Sequence, residues 1–500
     1  MKTLLKIVSL LLVVLMLGAA FMACGKKDDQ DQGNNAGADT VASDEEAGFK
    51  VAPANWGADF NVIAPHWACY ARFFFDKGEE RDTSSPIDMA LYARTERIKS
   101  HLGVNLKQNI VGTPNNGQNL TDAFNILKQT VSSGDDTYQL AQTHTFINTS
   151  AMATQGYAYD FRMLNDINLD AKYWNKEAME ELEMNSALYY GLSDYMIADP
   201  NAVFFNKTMQ ENYKIRNPYD MVREGTWTLE NMTVESMKVA EQGDKATKPL
   251  GFCTIGEWHF MSFIDSCDTN IVENNGGYRT LNMGADNERY ATVYEQLEDL
   301  CTADSTLLYM PAEHDVHDPD KSIASGRVLF SLVALHQANE YRKTDVKFGI
   351  LPYPKYDTDQ KEYRSFDWSG LMCVPLTIQN PAMVGQVLEC LSYFSANGEN
   401  DLHTAYYENL LGSKLAEAPD DYEMLKIIYN GVVTNAAINM CEGAPNASSS
   451  EGLRYLINSY TRMAGQNRVN SPTAPQDSIA AQWASHGSLA QKALDNTVNS

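Results

Sequence analysis

The sequence predicts an α/β protein of two lobes, and three observations carry that prediction. Strand-like and helix-like patterns alternate on both sides of residues 189–207. That stretch, YYGLSDYMIADPNAVFFNK, places the polar turn residues Asp194, Asp199, Pro200 and Asn201 between two apolar runs, Leu188–Leu192 and Ala202–Phe205. Five hundred residues also exceed what a single core organises. The stretch therefore reads as a joint between lobes, with a ligand cleft beside it.

The chain opens with Lys2 and Lys6, an apolar run Ile7–Leu17, and then Gly18, Ala19, Ala20 and Phe21-Met22-Ala23-Cys24. The apolar run is shorter than the roughly 20 residues of a spanning helix, so residues 1–23 are expected to be a secretory signal peptide. The small residue before Cys24 makes it resemble a bacterial lipoprotein signal, with Phe21 standing where Leu is usual. Cleavage before Cys24 and acylation of its thiol are the expectation. Residues 24–55 are rich in Asp, Gln, Asn, Gly and Ala and read as an acidic flexible tether.

Folding is expected to begin near Trp56. Phe60–Ala64 reads as a strand, Pro86–Leu102 as a helix closed by Gly103, and Val104–Val111 as the next strand. Thr121–Ser132 carries a helical stripe of Phe124, Leu127 and Val131, and Tyr138–Gln142 is a third strand. Past the joint, Val203–Phe205 and Gly251–Ile255 are strands, and helices are expected at Thr226–Glu241 and Asn287–Thr302. Val328–Val333 and Lys347–Pro352 follow as extended runs. Pro381–Phe394 is helical by the spacing of Val384, Val387, Leu388, Leu391 and Phe394, and Ser478–Thr497 is a terminal helix.

Composition narrows the function. A hydrophobic content of 44% fits a folded protein, and a net charge of −26 argues against nucleic acid and against a basic lipid-binding patch. Apart from Cys24, the cysteines at 69, 253, 267, 301, 373, 390 and 441 are odd in number, widely spaced and without a C-x-x-C pair. Most read as buried small hydrophobes. The acidic stretch Glu313–Asp318 contains His314 and His317, but flanking prolines make it a solvated loop rather than a metal site. Nucleophile-elbow and phosphate-cradling glycine patterns are absent from the sequence.

Several segments, in order, resemble a known family. They are the lipobox and acidic tether, Leu188–Lys207, Asn217-Pro218-Tyr219-Asp220, and Gly225-Thr226-Trp227-Thr228. Ser325-Gly326-Arg327-Val328-Leu329-Phe330, Phe348-Gly349-Ile350-Leu351-Pro352-Tyr353-Pro354 and Ala490-Gln491-Lys492-Ala493-Leu494 follow. Together they resemble the family 1 extracellular solute-binding proteins, lipoprotein receptors of ABC importers, from about Phe60 to the C-terminus.

The resemblance implies a two-lobed periplasmic-binding-protein-like fold of type II, with mixed sheets flanked by helices and hinge crossings. The crossings would lie near Tyr195–Val203, near Arg342–Phe348 and after Phe394. Lobe 1 would hold residues 56–195 and 348–396, and lobe 2 residues 196–347 and 397–500. Many relatives carry a calcium-like loop after the helix that follows Trp227. Here Glu241-Gln242-Gly243-Asp244-Lys245-Ala246 lacks the alternating carboxylates, so no calcium is expected there, and no metal or other cofactor elsewhere.

Ligands of open α/β sheets bind beyond the carboxyl ends of strands. That rule selects His66 and Trp67, His144, Asp194 and Tyr195 at the joint, Trp258, His336 and Asn339, and Asp367 and Trp368. Flat rings that stack on a sugar face, with amides and carboxylates that pair with adjacent hydroxyls, suit a carbohydrate. A packing role is the competing reading for each, and it is preferred for Trp227 and Trp483. The expectation is a non-enzymatic receptor, lipid-anchored on the extracellular face of the cell membrane. It would deliver a carbohydrate, as an oligosaccharide, to the permease subunits of an ABC importer. A secreted glycoside-active enzyme and a surface adhesin are the alternatives.

Overall fold

A computed structural model describes residues 48–66, 75–113, 118–143, 149–245, 247–254, 257–275, 277–284, 286–308, 322–367, 370–411, 419–434, 479–496 and 499. All of these fall in one compact unit, residues 42–500.

The first sheet is built from local signals that the sequence carries. Ala58–Pro65 (β1) buries Phe60, Val62, Ile63 and Ala64. Pro86–Leu102 (α1) starts at Ser85, whose hydroxyl accepts from the Asp88 N–H, with Pro86 in the first turn. It stops at Gly103, held at φ 64°, a conformation that costs a side-chain-bearing residue dearly. Val104–Val111 (β2) then pairs parallel with β1 from Ala58↔Val104 to Pro65↔Val111. Gln118–Ser132 (α2) leads to Leu140–Thr143 (β3), parallel to β1 on its other side. Two short helices, Thr149–Thr154 (α3) and Lys176–Glu181 (α4), precede the joint.

After the joint comes Asn201–Asn206 (β4), buried throughout, whose side chains alternate between two cores. Phe204 faces the larger core and Val203 and Phe205 the smaller one. Lys207–Asn212 (α5), Pro218–Arg223 (α6) and Leu229–Met237 (α7) follow, then Leu250–Thr254 (β5) and Glu257–Ser266 (α8). Val272–Asn275 (β6) and Tyr278–Leu281 (β7) form a separate antiparallel hairpin. Glu288–Thr302 (α9) is capped by Asn287, the first residue of the helix expected from the sequence, whose side chain accepts from the Tyr290 N–H. Thr306–Leu308 (β8), Val328–Ala334 (β9), Ala338–Tyr341 (α10) and Phe348–Leu351 (β10) complete the second layer. The second sheet runs β10-β4-β9-β5-β8, with only β4 opposed in direction to its neighbours.

The chain then pairs Ser365–Phe366 (β11) with a later strand and enters the first sheet as Leu371–Cys373 (β12), antiparallel to β3. The first sheet thus reads β12-β3-β1-β2. Pro381–Ala396 (α11), Leu402–Leu411 (α12), Pro419–Asn430 (α13), Val432–Val433 (β13, the partner of β11) and Ile479–Asp495 (α14) end the described chain. None of the described helices is long and apolar enough to cross a membrane.

One boundary differs from the sequence reading. Phe348–Leu351 was expected to open the return to lobe 1, yet it is bonded to Val203–Asn206 in the second sheet. The Pro352-Tyr353-Pro354 that ends this run also packs in the second core, through Tyr353. Trp227 Nε1 donates to the Pro352 carbonyl at 2.9 Å, and Tyr353 packs against Phe263 with ring centres 5.0 Å apart. The return comes at Asp367–Leu371 instead. The expected boundary at residue 397 also falls short of a clean break, because α12 lies against both α1 and α10.

Cys253, Cys267, Cys373 and Cys390 are buried free thiols. In the turn expected to lack a calcium loop, Lys245 Nζ donates to the Ala303 and Thr306 carbonyls, and Lys248 Nζ to the Glu241 carbonyl. Lysine ammonium groups therefore serve backbone oxygens there.

Candidate functional site

Strand polarity locates the site. In the first sheet, Thr143 at the carboxyl end of β3 lies opposite Leu371, the first residue of β12 after the crossing. In the second, Asn201 at the start of β4 lies opposite Ala334 at the end of β9, and Thr254 at the end of β5 lies opposite Leu332. The carboxyl ends of the parallel strands of both sheets are thus turned toward the crossing. That is where open α/β sheets hold ligands.

The crossing itself is a hydrogen-bonded knot of separate segments. Pro200 pairs antiparallel with Asp367, and the Leu335 N–H donates to the Pro200 carbonyl at 3.1 Å. Asp199, 1% exposed, sits at the centre. Its Oδ1 accepts from the His336 N–H at 3.1 Å, its Oδ2 faces His336 Nδ1 at 2.6 Å, and its own N–H donates to Asp367 Oδ1 at 2.8 Å. The Tyr406 hydroxyl of α12 stands 3.5 Å from Asp199 Oδ1. A carboxylate this deeply buried is tolerable only with such partners. His336 Nε2 meets Gln337 Nε2 at 3.2 Å. Nδ1–H donates to Asp199 and the other ring nitrogen meets the Gln337 side-chain amide, so both imidazole nitrogens are engaged.

Asp194 occupies the rim. Gly191 bridges antiparallel to Met372, so residues 191–194 run with β3 toward the same carboxyl edge. The Asp194 N–H donates to the Tyr173 carbonyl at 2.9 Å, and its carbonyl oxygen lies 2.7 Å from His403 Nε2. Burial pushes its carboxyl up to about 6, against the pull of His403 and with a smaller push from Asp401. The residue keeps partial exposure.

The other sequence-selected residues divide by position. His66, half-buried at the end of β1, donates its N–H to the Val111 carbonyl at 2.9 Å. Tyr195 is fully buried. Its hydroxyl accepts from Gln142 Nε2 at 2.6 Å, and the Arg94 guanidinium lies 5.1 Å over its ring. It therefore faces the first core and offers no surface to a ligand in this conformation. Asn339 Oδ1 accepts from Asn409 Nδ2 at 3.1 Å and from Arg342, which ties α10 to α12. Asp367, 9% exposed, serves the knot. Trp258 is the second residue of α8, directly beyond the carboxyl end of β5; its side chain lies outside the described residues, as do Trp67, His144, Trp368, Cys24, His314 and His317. Among the described residues no group of three or more His, Cys, Asp or Glu could hold a metal.

Sequence reasoning missed Asp199 as the organising group, along with His403 and Tyr406 of α12. Asp199 stood out only as turn chemistry beside Pro200. His403 and Tyr406 carried no local signal.

No protein-family model matches the sequence, and no curated protein does. Solved structures do match the fold. The chain is similar to an ABC transporter solute-binding protein from Thermotoga lettingae bound with alpha-D-tagatose, with a TM-score of 0.52, 11% identity, and coverage of 88% of this chain and 99% of that one. It is similar to the galacto-N-biose/lacto-N-biose I-binding protein of an ABC transporter from Bifidobacterium longum, with a TM-score of 0.55, 14% identity, and coverage of 88% and 97%. It is also similar to a cyclic alpha-maltosyl-1,6-maltose binding protein from Arthrobacter globiformis, with a TM-score of 0.58, 11% identity, and coverage of 88% and 99%. The architecture is that of the two-lobed solute-binding proteins, with mixed sheets flanked by helices.

Proposed function

We propose that this protein is an extracellular solute receptor that closes its two lobes on a carbohydrate and hands it to an ABC permease. The observation that carries the reading is the shared orientation of the two sheets, whose carboxyl strand ends face one crossing knotted at Asp199. A solute held there touches both lobes at once and so favours the closed state over the open one. The ligands bound by the structural neighbours, a ketohexose and a disaccharide among them, support a sugar. Anchoring through a lipid on Cys24 follows from the signal-like N-terminus and belongs to the same proposal.

Ligand contact is assigned to the segments that follow β1, β3 and β5 in sequence, which carry Trp67, His144 and Trp258, together with Asp194, His336 and Trp368. Hydroxyl-pairing groups in such a cleft confer selectivity, because a buried partner left unpaired costs about 1–3 kcal/mol. The test is thermal shift across mono- and oligosaccharides, followed by mass spectrometry of the recovered ligand. A receptor shows a stabilising shift with one sugar class and returns that sugar intact. No shift across the panel, or a cleaved sugar, overturns the reading.

A further inference from the structure

The lobes are joined at a second place, remote from the crossing. Arg279 lies on β7, in the hairpin inserted between α8 and α9 of the second lobe. Its backbone is clamped by the C-terminal region. The Arg279 N–H donates to Asn499 Oδ1 at 2.8 Å, and its carbonyl accepts from Asn499 Nδ2 at 2.8 Å and Gln491 Nε2 at 3.1 Å. The side chain, 3% exposed as a residue, reaches across to α4 of the first lobe. Its guanidinium donates to the carbonyls of Glu181 at 2.8 Å, Glu183 at 3.1 Å and Glu180 at 3.4 Å.

The Glu181 carbonyl ends α4 and that of Glu183 lies two residues beyond it, where carbonyls lack intrahelical donors and a cation is favoured. The rigid fork of a guanidinium serves several of them at once, which an ammonium cannot do. The helix α4 is itself fixed in the first lobe. The Asn175 N–H donates to the Leu192 carbonyl at 2.9 Å, and neighbouring Trp174 donates through Nε1 to Glu389 of α11 at 3.0 Å.

Between this contact and the crossing lies a cavity of about 410 Å³ with walls from both lobes, Asn175 and Glu181 on one side and Asp265, Asp268 and Val272 on the other. α12, packed on both α1 and α10, holds the lobes at a further place, so Arg279 adds to the contacts that set their angle.

We propose that Arg279 is a positioning residue for lobe closure, holding the second-lobe hairpin to the end of α4 while the Asp199 knot holds the crossing. The proposal rests on the two-lobed hinge of the receptor reading but not on the identity of any ligand. Without the guanidinium, α4 and the hairpin separate, and the lobes sample angles that this tie forbids.

The test measures the distance between spin labels at positions 107, on the edge strand of the first sheet, and 343, after α10, in the full chain without ligand. The native protein gives one narrow distribution, and Arg279→Ala broadens or shifts it while near-ultraviolet circular dichroism stays native. Arg279→Lys, with charge but no fork, also broadens it. Should Arg279→Ala fail to fold, Asn499→Ala loosens the same arm without touching α4 and broadens the distribution alone. Distributions in the folded variants that coincide with the native one overturn the proposal. Because no sugar is added, that result leaves the carbohydrate reading standing, and the failure of the sugar panel leaves this measurement interpretable.

Discussion

His336 Nδ1 lies 2.6 Å from Asp199 Oδ2, and this contact joins the end of the β9 strand to the first passage between lobes. The same carboxylate accepts the His336 backbone N–H, so one buried group orders the turn that leaves the second sheet. Asp199→Ala strands these donors and is expected to lower unfolding free energy by about 2–4 kcal/mol. Asp199→Asn keeps an acceptor for the backbone N–H and should lose less. Urea unfolding midpoints of the two variants check the order.

Asp194 makes stability depend on pH in a defined direction. Burial raises its carboxyl from the ordinary 3.8 to about 6, so the folded chain holds this proton more tightly than the unfolded one. The group's stabilising contribution is complete below about pH 4, declines as pH rises, and is lost above about pH 6. Asp194→Asn removes that slope. The stability of the variant relative to the native protein should therefore rise between those values, measured by urea melts at a series of pH values. A flat difference contradicts the assignment.

Trp227 is a packing residue, as the sequence suggested. It is fully buried, hydrogen-bonded to the Pro352 carbonyl and packed with its ring centre 5.4 Å from that of Phe330. Trp227→Ala should destabilise the protein by about 3–5 kcal/mol. Any sugar that binds the native protein should bind the folded variant with little change, since Trp227 touches no part of the crossing. Calorimetric titration below the melting temperature distinguishes the two effects.

Gly103 closes α1 at φ 64°, and a Cβ added there would stand 2.1 Å from Asn55 Oδ1. Gly103→Ala combines backbone strain with that collision and should cost more than about 1 kcal/mol. Gly134, also at positive φ but with open space around it, should cost less on the same change. Thermal melts of the pair separate strain from collision.

Burial pushes the thiols of Cys253 and Cys267 up to about 12. Both should therefore resist maleimide in the native protein and react in urea. Peptide mapping by mass spectrometry reads each site separately, and rapid native labelling at either would contradict its burial.

Much of the fold was legible in local pattern. The cap and stop of α1, the stripe of α2, the start of α9 at Asn287 and the buried run of α11 all report short-range chemistry. The strand-end rule also drew attention to the edge of both sheets that faces the crossing. The site was less legible residue by residue. Tyr195 has the look of a stacking ring, but the stretch it lies on turns it into the first core against Arg94 and Gln142. His403 reaches the Asp194 carbonyl from 209 residues away, and no local pattern announces such a pairing.

By itself, the sequence determined several of the elements, among them β1, α1, β2, α2, β4, α9 and α11, and the faces they bury, and it pointed to a two-lobed α/β fold. Apolar periodicity and capping act within a few residues and are written directly in the chain. Tertiary structure alone decided that Phe348–Leu351 joins the second sheet, that the return comes at Asp367, that Asp199 meets His336 and that Arg279 meets the end of α4. A strand's edge can bond to any complementary edge, and a buried carboxylate or guanidinium can be served by any donor or acceptor in reach. Periodicity specifies that a partner is needed, and only the packed chain selects which one.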